Sequence, residues 1–259
     1  MKKAITYAFR REKMAETSAS MQAYFDSLGR DTDSAYEIAE KARKKGLDPE
    51  EKVDIPVARN MAERVEGLVS ALAPQLKGSG MTSRIQELES EYGMSAWEVA
   101  LLIAEEIAKE KFCTFDNKKE AMEIGIRAGF AYHTLGIVAA PLEGFTELKI
   151  KKRNDGKEYL SALYSGPIRG AGGTAAAFSV VLIDYIRKKM GYESFDPTED
   201  EVKRFVAELH DYNERVTNLQ YMPSDEEIEF LAKRIPVEIN GDPTEQIEVS
   251  NYKDIPRLE

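Results

Sequence analysis

The sequence predicts an α+β fold, predominantly helical, with a small strand-bearing part that carries a basic β-hairpin. Three observations support that class. Apolar residues recur at helical spacing between capping and stop signals over most of the 259 residues. One pair of strand-like segments flanks Asn154-Asp155-Gly156, which has hairpin turn chemistry. Between the strand Tyr159 to Tyr164 and a helix opening at Thr174 lies the turn Ser165-Gly166-Pro167-Ile168-Arg169-Gly170-Ala171-Gly172-Gly173, with four glycines in eight residues.

The elements follow in order. Residues 1 to about 55 form a helical arm, in which Met21, Tyr24, Phe25 and Leu28 share one stripe. A break is expected near Gly29, with Tyr36, Ala39 and Ala42 continuing beyond it, and Lys41 to Lys45 followed by Gly46 closing the arm. A lone amphipathic helix cannot bury its stripe, so the arm either docks on a partner or stays solvated. Asp54-Ile55-Pro56 is the boundary to a helical subdomain over 56–136. Its first helix carries Met61, Val65, Leu68 and Val69, and its second carries Ile85 and Leu88 and stops near Gly93. Ser95-Ala96-Trp97-Glu98 reads as a capping box for a helix with Val99, Ile103 and Ile107 inward and Trp97 in the core. Lys118 to Leu135 is the next helix, stopped by Gly136, with His133 in its last turn beside the terminal carbonyls.

An α/β subdomain over 137–259 follows. Phe145 to Arg153 alternates, which places Leu148 and Ile150 on one face and Lys149, Lys151 and Arg153 on the other. After the helix that runs to Gly191, Thr198 with Glu201 and Ser224 with Glu227 read as capping boxes. The first opens a helix with Val202, Phe205, Val206, Leu209, Tyr212 and Val216 on its stripe; the second precedes Ile228 and Leu231. Ile235 to Ile239 and Ile247 to Val249 are short strands, and the end at Leu258-Glu259 without a stop signal reads as truncation of a longer chain.

Composition excludes several classes. No apolar run is long enough to cross a bilayer, and no signal peptide follows Met1-Lys2-Lys3. The single Cys113 fits a reducing cytoplasm, and with only His133 and His210 it cannot build a Cys/His zinc site. The net charge is −10, yet Tyr192 to Glu259 holds 18 acidic and 7 basic residues, a balance of −11. Subtraction leaves +1 for residues 1–191, so local basic faces can still meet phosphate.

The Gly-rich turn before a helix offers unpaired amides, the positive end of the helix dipole and the charge of Arg169 to an anion. The expected nucleic-acid contacts are Lys149, Lys151, Arg153, Arg169, Gly170, Gly172, Gly173 and Thr174. The plainer alternative is that the glycines only let the helix pack closely on a sheet. Gly170-x-Gly172-x-x-Ala175 also fits a dinucleotide fingerprint, but Tyr192-Glu193-Ser194-Phe195-Asp196 is too short and polar for the second parallel strand which that motif requires.

Several segments together carry a resemblance. They are Tyr164 to Ala177 with its Gly-Pro-Ile-Arg run, Ala35 to Ala39, Met61 to Glu66, Ala140 to Gly144, Leu219-Gln220-Tyr221 and Glu248-Val249-Ser250. Collinear from about Met21 to Glu259, they resemble the amino-terminal region of the archaeal D-family DNA polymerase large subunit. Where the family commonly has Ser, this chain has Gly170, which removes a hydroxyl and leaves backbone donation. The resemblance implies a small KH-like α/β part and a fragment of a template-directed DNA polymerase. It further implies catalytic aspartates and zinc modules beyond Glu259, no cofactor in this fragment, and a divalent metal, magnesium, in the full polymerase. The partners it implies are DNA, a small exonuclease subunit and the downstream catalytic core, with a homodimer left open. Alternatives are a structural docking domain without DNA affinity and a dinucleotide-dependent enzyme.

Overall fold

A computed structural model describes residues 18–47, 58, 60–136, 139–216 and 218–241. The expected boundary at Asp54-Ile55-Pro56, the strand Ile247 to Val249 and the chain end lie outside the described residues. The chain divides into two compact units, residues 1–57 and 58–259.

In the first unit, α1 runs unbroken from Ala19 to Lys44. The break expected at Gly29 does not occur, because one exposed helical glycine costs only about 1 kcal/mol and 26 residues of hydrogen bonds outweigh it. Ser18 caps the start by accepting from the Met21 amide, and Gly46 in left-handed conformation ends it. The stripe of Met21, Tyr24, Phe25 and Leu28 is present, with each side chain 42 to 56% exposed.

The second unit begins with helices α2 (Met61–Val69), α3 (Met81–Tyr92), α4 (Trp97–Ala108) and α5 (Lys118–His133). Val65, Val69, Ile85, Leu88, Val99, Ile103, Ile107 and Ala128 share one apolar core, as their spacing implies. The α4–α5 crossing is close because Gly125 and Gly129 lie against the Ala104 and Ala100 carbonyls, where a Cβ would stand at 2.5 Å. The capping box at Ser95 does not form. Ser95 sits at φ 61 and gives its amide to the Tyr132 hydroxyl (3.1 Å), so Ala96 becomes the N-cap without a side-chain bond. Trp97 is 54% exposed rather than in the core. In the first turn a side chain leans back toward the helix N terminus, away from the turns that pack on α5.

A three-stranded sheet follows in the order β1 (Phe145–Lys152), β2 (Glu158–Tyr164), β3 (Glu238–Gly241). β1 and β2 form the expected antiparallel hairpin, and β3 lies parallel to β2. β2 is central and buried on both faces, so it reads as an apolar run instead of an alternating strand. β3 starts at Glu238 instead of Ile235, since Pro236 has no amide to pair and its carbonyl accepts from Phe195 instead (2.9 Å). Between β2 and β3 lie α6 (Gly173–Met190), α7 (Glu199–Arg215) and α8 (Asp225–Ala232), the last two opened by the expected boxes at Thr198 and Ser224. α6 packs Leu182, Ile183 and Ile186 with Phe130, Leu148, Leu160 and Ala162 into a second core.

Candidate nucleic-acid interface

The turn between β2 and α6 owes its shape to local chemistry. Ser165 ends the strand by donating its amide to the Gly144 carbonyl (2.9 Å). Pro167, in the first turn, needs no amide partner there, and a 3-10 turn forms over Gly166–Ala171. Gly172, at φ +80, reverses the chain so that α6 can begin at Gly173, and it offers no side-chain cap. The amides of Gly173, Thr174 and Ala175 have no acceptor among the described residues. They lie at the positive end of an 18-residue helix. Arg169 is exposed, and its side chain donates one hydrogen bond among the described residues, from Nε to the Gly166 carbonyl at 3.4 Å.

The space around the glycines of this turn is open. A Cβ built at Gly170, Gly172 or Gly173 meets nothing within 4 Å, and at Gly166 it reaches only an Arg169 nitrogen at 3.5 Å. Close packing is the task of a different residue, Gly144, where a Cβ would stand 2.7 Å from the Ile168 amide nitrogen. The turn's own glycines therefore leave open space beside the backbone, and at Gly172 the left-handed φ, not a neighbour, calls for glycine.

What holds the turn in place is a residue without a periodic signal. Arg127, buried on α5, donates from Nη1 to the carbonyls of Pro141 and Leu142 (2.8 and 3.0 Å) and to that of Phe145, and from Nη2 to Thr146 (2.7 Å). Its guanidinium also lies 4.9 Å from the Phe145 ring, and burial lowers its pKa. This clamp fixes the π-helical turn Ala139–Gly144 on which Ile168 rests. His133 does not reach terminal carbonyls; its ring stacks on Phe178 of α6 at 3.7 Å, and burial depresses its pKa. Tyr164, pushed up to about 12 by burial, bonds Ser179 at 2.8 Å and ties the end of β2 to α6. An apolar face on α5 hinted at burial around Arg127, but its carbonyl acceptors are unreadable in side-chain patterns.

The hairpin cations divide. Lys149 is exposed and has no ion-pair partner among the described residues, and the same holds for Lys152, which alternation places on the other face. Lys151 pairs with buried Glu238 (3.2 Å), which also accepts from the Tyr159 hydroxyl (3.0 Å). Arg153, 19% exposed, pairs with Asp155 (3.3 Å) and Asp196 (3.6 Å) and donates to the Ser194 carbonyl. Register separates these groups further. Lys149 faces Ser161 and Arg153 bonds Lys157, so the hairpin tip and the Gly-rich turn occupy opposite ends of β2. Seven strand residues span roughly 23 Å at about 3.3 Å each. Arg169, Gly170, Gly172, Gly173 and Thr174 are thus one group, Lys149 lies partway along the sheet, and Lys151 and Arg153 are committed elsewhere.

Glu193 contributes a single parallel bridge to Tyr159 after α6, not the second apolar strand of a dinucleotide fold. Among the described residues no three His, Cys, Asp or Glu side chains converge as metal ligands. No helix of the described residues is long and apolar enough to cross a membrane.

Comparison with known proteins adds the context. The family model for "DNA polymerase II large subunit DP2, N-terminal" matches residues 23–259. The DNA polymerase II large subunit of Nanoarchaeum equitans is 50% identical over 236 residues, 91% of this chain and 19% of the relative. Those of Methanococcus maripaludis and Pyrococcus abyssi are 45% and 44% identical over 248 and 246 residues, 95% and 94% of this chain. These stretches are 21% and 16% of the two relatives, so the chain spans about a fifth of the length of the curated proteins it matches.

Proposed function

The chain belongs to the archaeal DNA polymerase II large-subunit family, in its amino-terminal region, and we propose that it is a phosphate-contacting and assembly module of such a subunit. Nucleotidyl transfer in this reading belongs to the remainder of the large subunit, and exonuclease action to a small partner subunit. The module's share is to hold the DNA backbone. One observation carries the reading: the amides of Gly173, Thr174 and Ala175, without an acceptor among the described residues, flanked by exposed Arg169 and by glycines whose missing side chains leave room for a close approach. Such contacts position DNA without reading its sequence. Lys149 extends the path along the sheet, whereas Lys151 and Arg153, already paired, add less.

The test is a salt series of DNA binding by this chain. Log affinity falls linearly with log salt, and Arg169→Ala reduces the slope by about 1 while Lys151→Ala leaves it nearly unchanged. DNA binding without salt dependence, or unaltered by Arg169→Ala, overturns the proposal. A second reading, docking without DNA affinity, is favoured by the bare apolar stripe of α1. Under it the chain binds the catalytic core and no DNA at any salt concentration.

A further inference from the structure

Resting on the assembly half of that reading, we infer that α8 and the segment before it form the receptor for a basic, apolar segment from the remainder of the large subunit. Tyr221, Pro223, Phe230 and Leu231 line an open groove of ≈ 460 Å³, with Glu226 and Glu227 at its edge. Tyr221, Phe230 and Leu231 are 67, 55 and 58% exposed, three large apolar side chains on an otherwise acidic stretch of chain. Their exposure is not a packing accident of a loose helix. Ser224 and Glu227 close a complete capping box, the Tyr221 hydroxyl donates to Glu227 (2.8 Å), and Ile228 and Ala232 are buried on the opposite side. The groove is therefore built on a fixed element.

Charge selects the occupant. Asp225, Glu226, Glu227 and Glu229 crowd α8; Lys233 answers Glu229 and Glu199, and His210 bonds Asp225 (2.8 Å). Glu226 has no ion-pair partner among the described residues. Nucleic acid is repelled by such a rim, while a cationic segment is drawn to it. Phe230 already shows the chemistry, since Arg234 lies over its ring at 3.7 Å, and the exposed remainder of the ring can take a second cation or an apolar side chain. The source follows from the relatives, in which this region is about a fifth of one polypeptide. Attachment holds the other four-fifths at about millimolar effective concentration, which favours an intramolecular occupant over a free one.

The experiment places a photo-crosslinking amino acid at position 230 in the assembled polymerase containing this chain, and identifies the captured peptide by mass spectrometry. The expected product joins position 230 to a Lys/Arg-bearing apolar stretch of the large subunit outside the region matched here. Glu226→Lys, a change at an exposed and unpaired position, lowers that yield several-fold. Crosslinks to DNA, to the small subunit or to a second copy of this chain overturn the inference, as does absence of any crosslink in a polymerase that retains activity. DNA affinity measured on the same protein keeps the two proposals apart. Loss of the crosslink with DNA binding intact sinks the groove alone, and the reverse sinks the phosphate contact alone.

Discussion

Two glycines 29 positions apart, Gly144 and Gly173, separate packing from the proposed contact. Gly173 has open space where a Cβ would stand and a φ outside the left-handed region, so Gly173→Leu meets no internal barrier there. Replacing glycine in a helix by a good helix former gains roughly 0.5–1 kcal/mol. For a domain of this size that raises Tm by about 1–4 °C. The same side chain stands where a phosphate would approach the amides, and loss of one hydrogen bond to a charged group costs about 1.5–3 kcal/mol, or about tenfold to a hundredfold in Kd. Gly144→Ala does the opposite. Its Cβ falls 2.7 Å from the Ile168 nitrogen and 2.8 Å from its Cα, backbone atoms that cannot swing aside. Overpacking of that kind costs about 1–3 kcal/mol and lowers Tm by several degrees. Thermal melts and fluorescence anisotropy with labelled DNA read both variants. If Gly173→Leu is more stable and still binds DNA as the parent does, the amides are not a contact and the reasoning fails.

Three more outcomes are expected. Arg127→Leu strands four backbone carbonyls and lowers stability by about 2–4 kcal/mol in urea melts, whereas a change below about 1 kcal/mol would show the clamp to be idle. Burial would raise the Glu105 carboxyl, but Lys109, Tyr185 and Lys189 donate to it and hold it at about 2. A folded pKa below the unfolded one adds stability above about pH 4.5 that is lost as pH falls toward 2. With solvent screening this amounts to about 1–2 kcal/mol, and Glu105→Gln removes that acid limb from a stability–pH curve. Trp97 is the only tryptophan and is half-exposed, so acrylamide quenches its fluorescence readily in the folded chain; quenching that rises only on unfolding would return the indole to the core.

The helices were legible where the signal is local. Thr198 with Glu201 and Ser224 with Glu227 each close their box within three residues, and the Asn154-Asp155-Gly156 turn sets the hairpin register by itself. Ser95 has the same local signature and forms no box, because its amide is claimed by Tyr132, 37 residues away. The candidate site meets the same limit. Alternation placed Lys151 and Arg153 on one face, but Glu238 and Asp196, 87 and 43 positions later, occupy both. Periodicity reports which way a side chain points and carries no account of what waits there.

Those distant partners also explain how an acidic chain can present a basic edge. Glu238, Asp196 and Glu193, which neutralise Lys151, Arg153 and Lys157, all come from the last quarter, where the excess of −11 resides. Glu193 lies beside Tyr159 and Glu238 beside Ser161, roughly 20 and 13 Å from the Gly-rich turn by strand rise. At physiological salt a charge is screened over about 8 Å, so carboxylates at that end contribute little field at Arg169 and the α6 amides. Among the described residues these carboxylates cancel cations at the hairpin end of the sheet, while Arg169 has no ion-pair partner. A hairpin stripped of its acidic partners would therefore bind DNA along its whole length. The variant Asp155→Asn, Asp196→Asn and Glu193→Gln, which removes the carboxylates paired with Arg153 and Lys157, should raise DNA affinity and steepen the salt slope by up to about 2, one for each cation set free; an unchanged slope would mean that Arg153 and Lys157 never reach the phosphates.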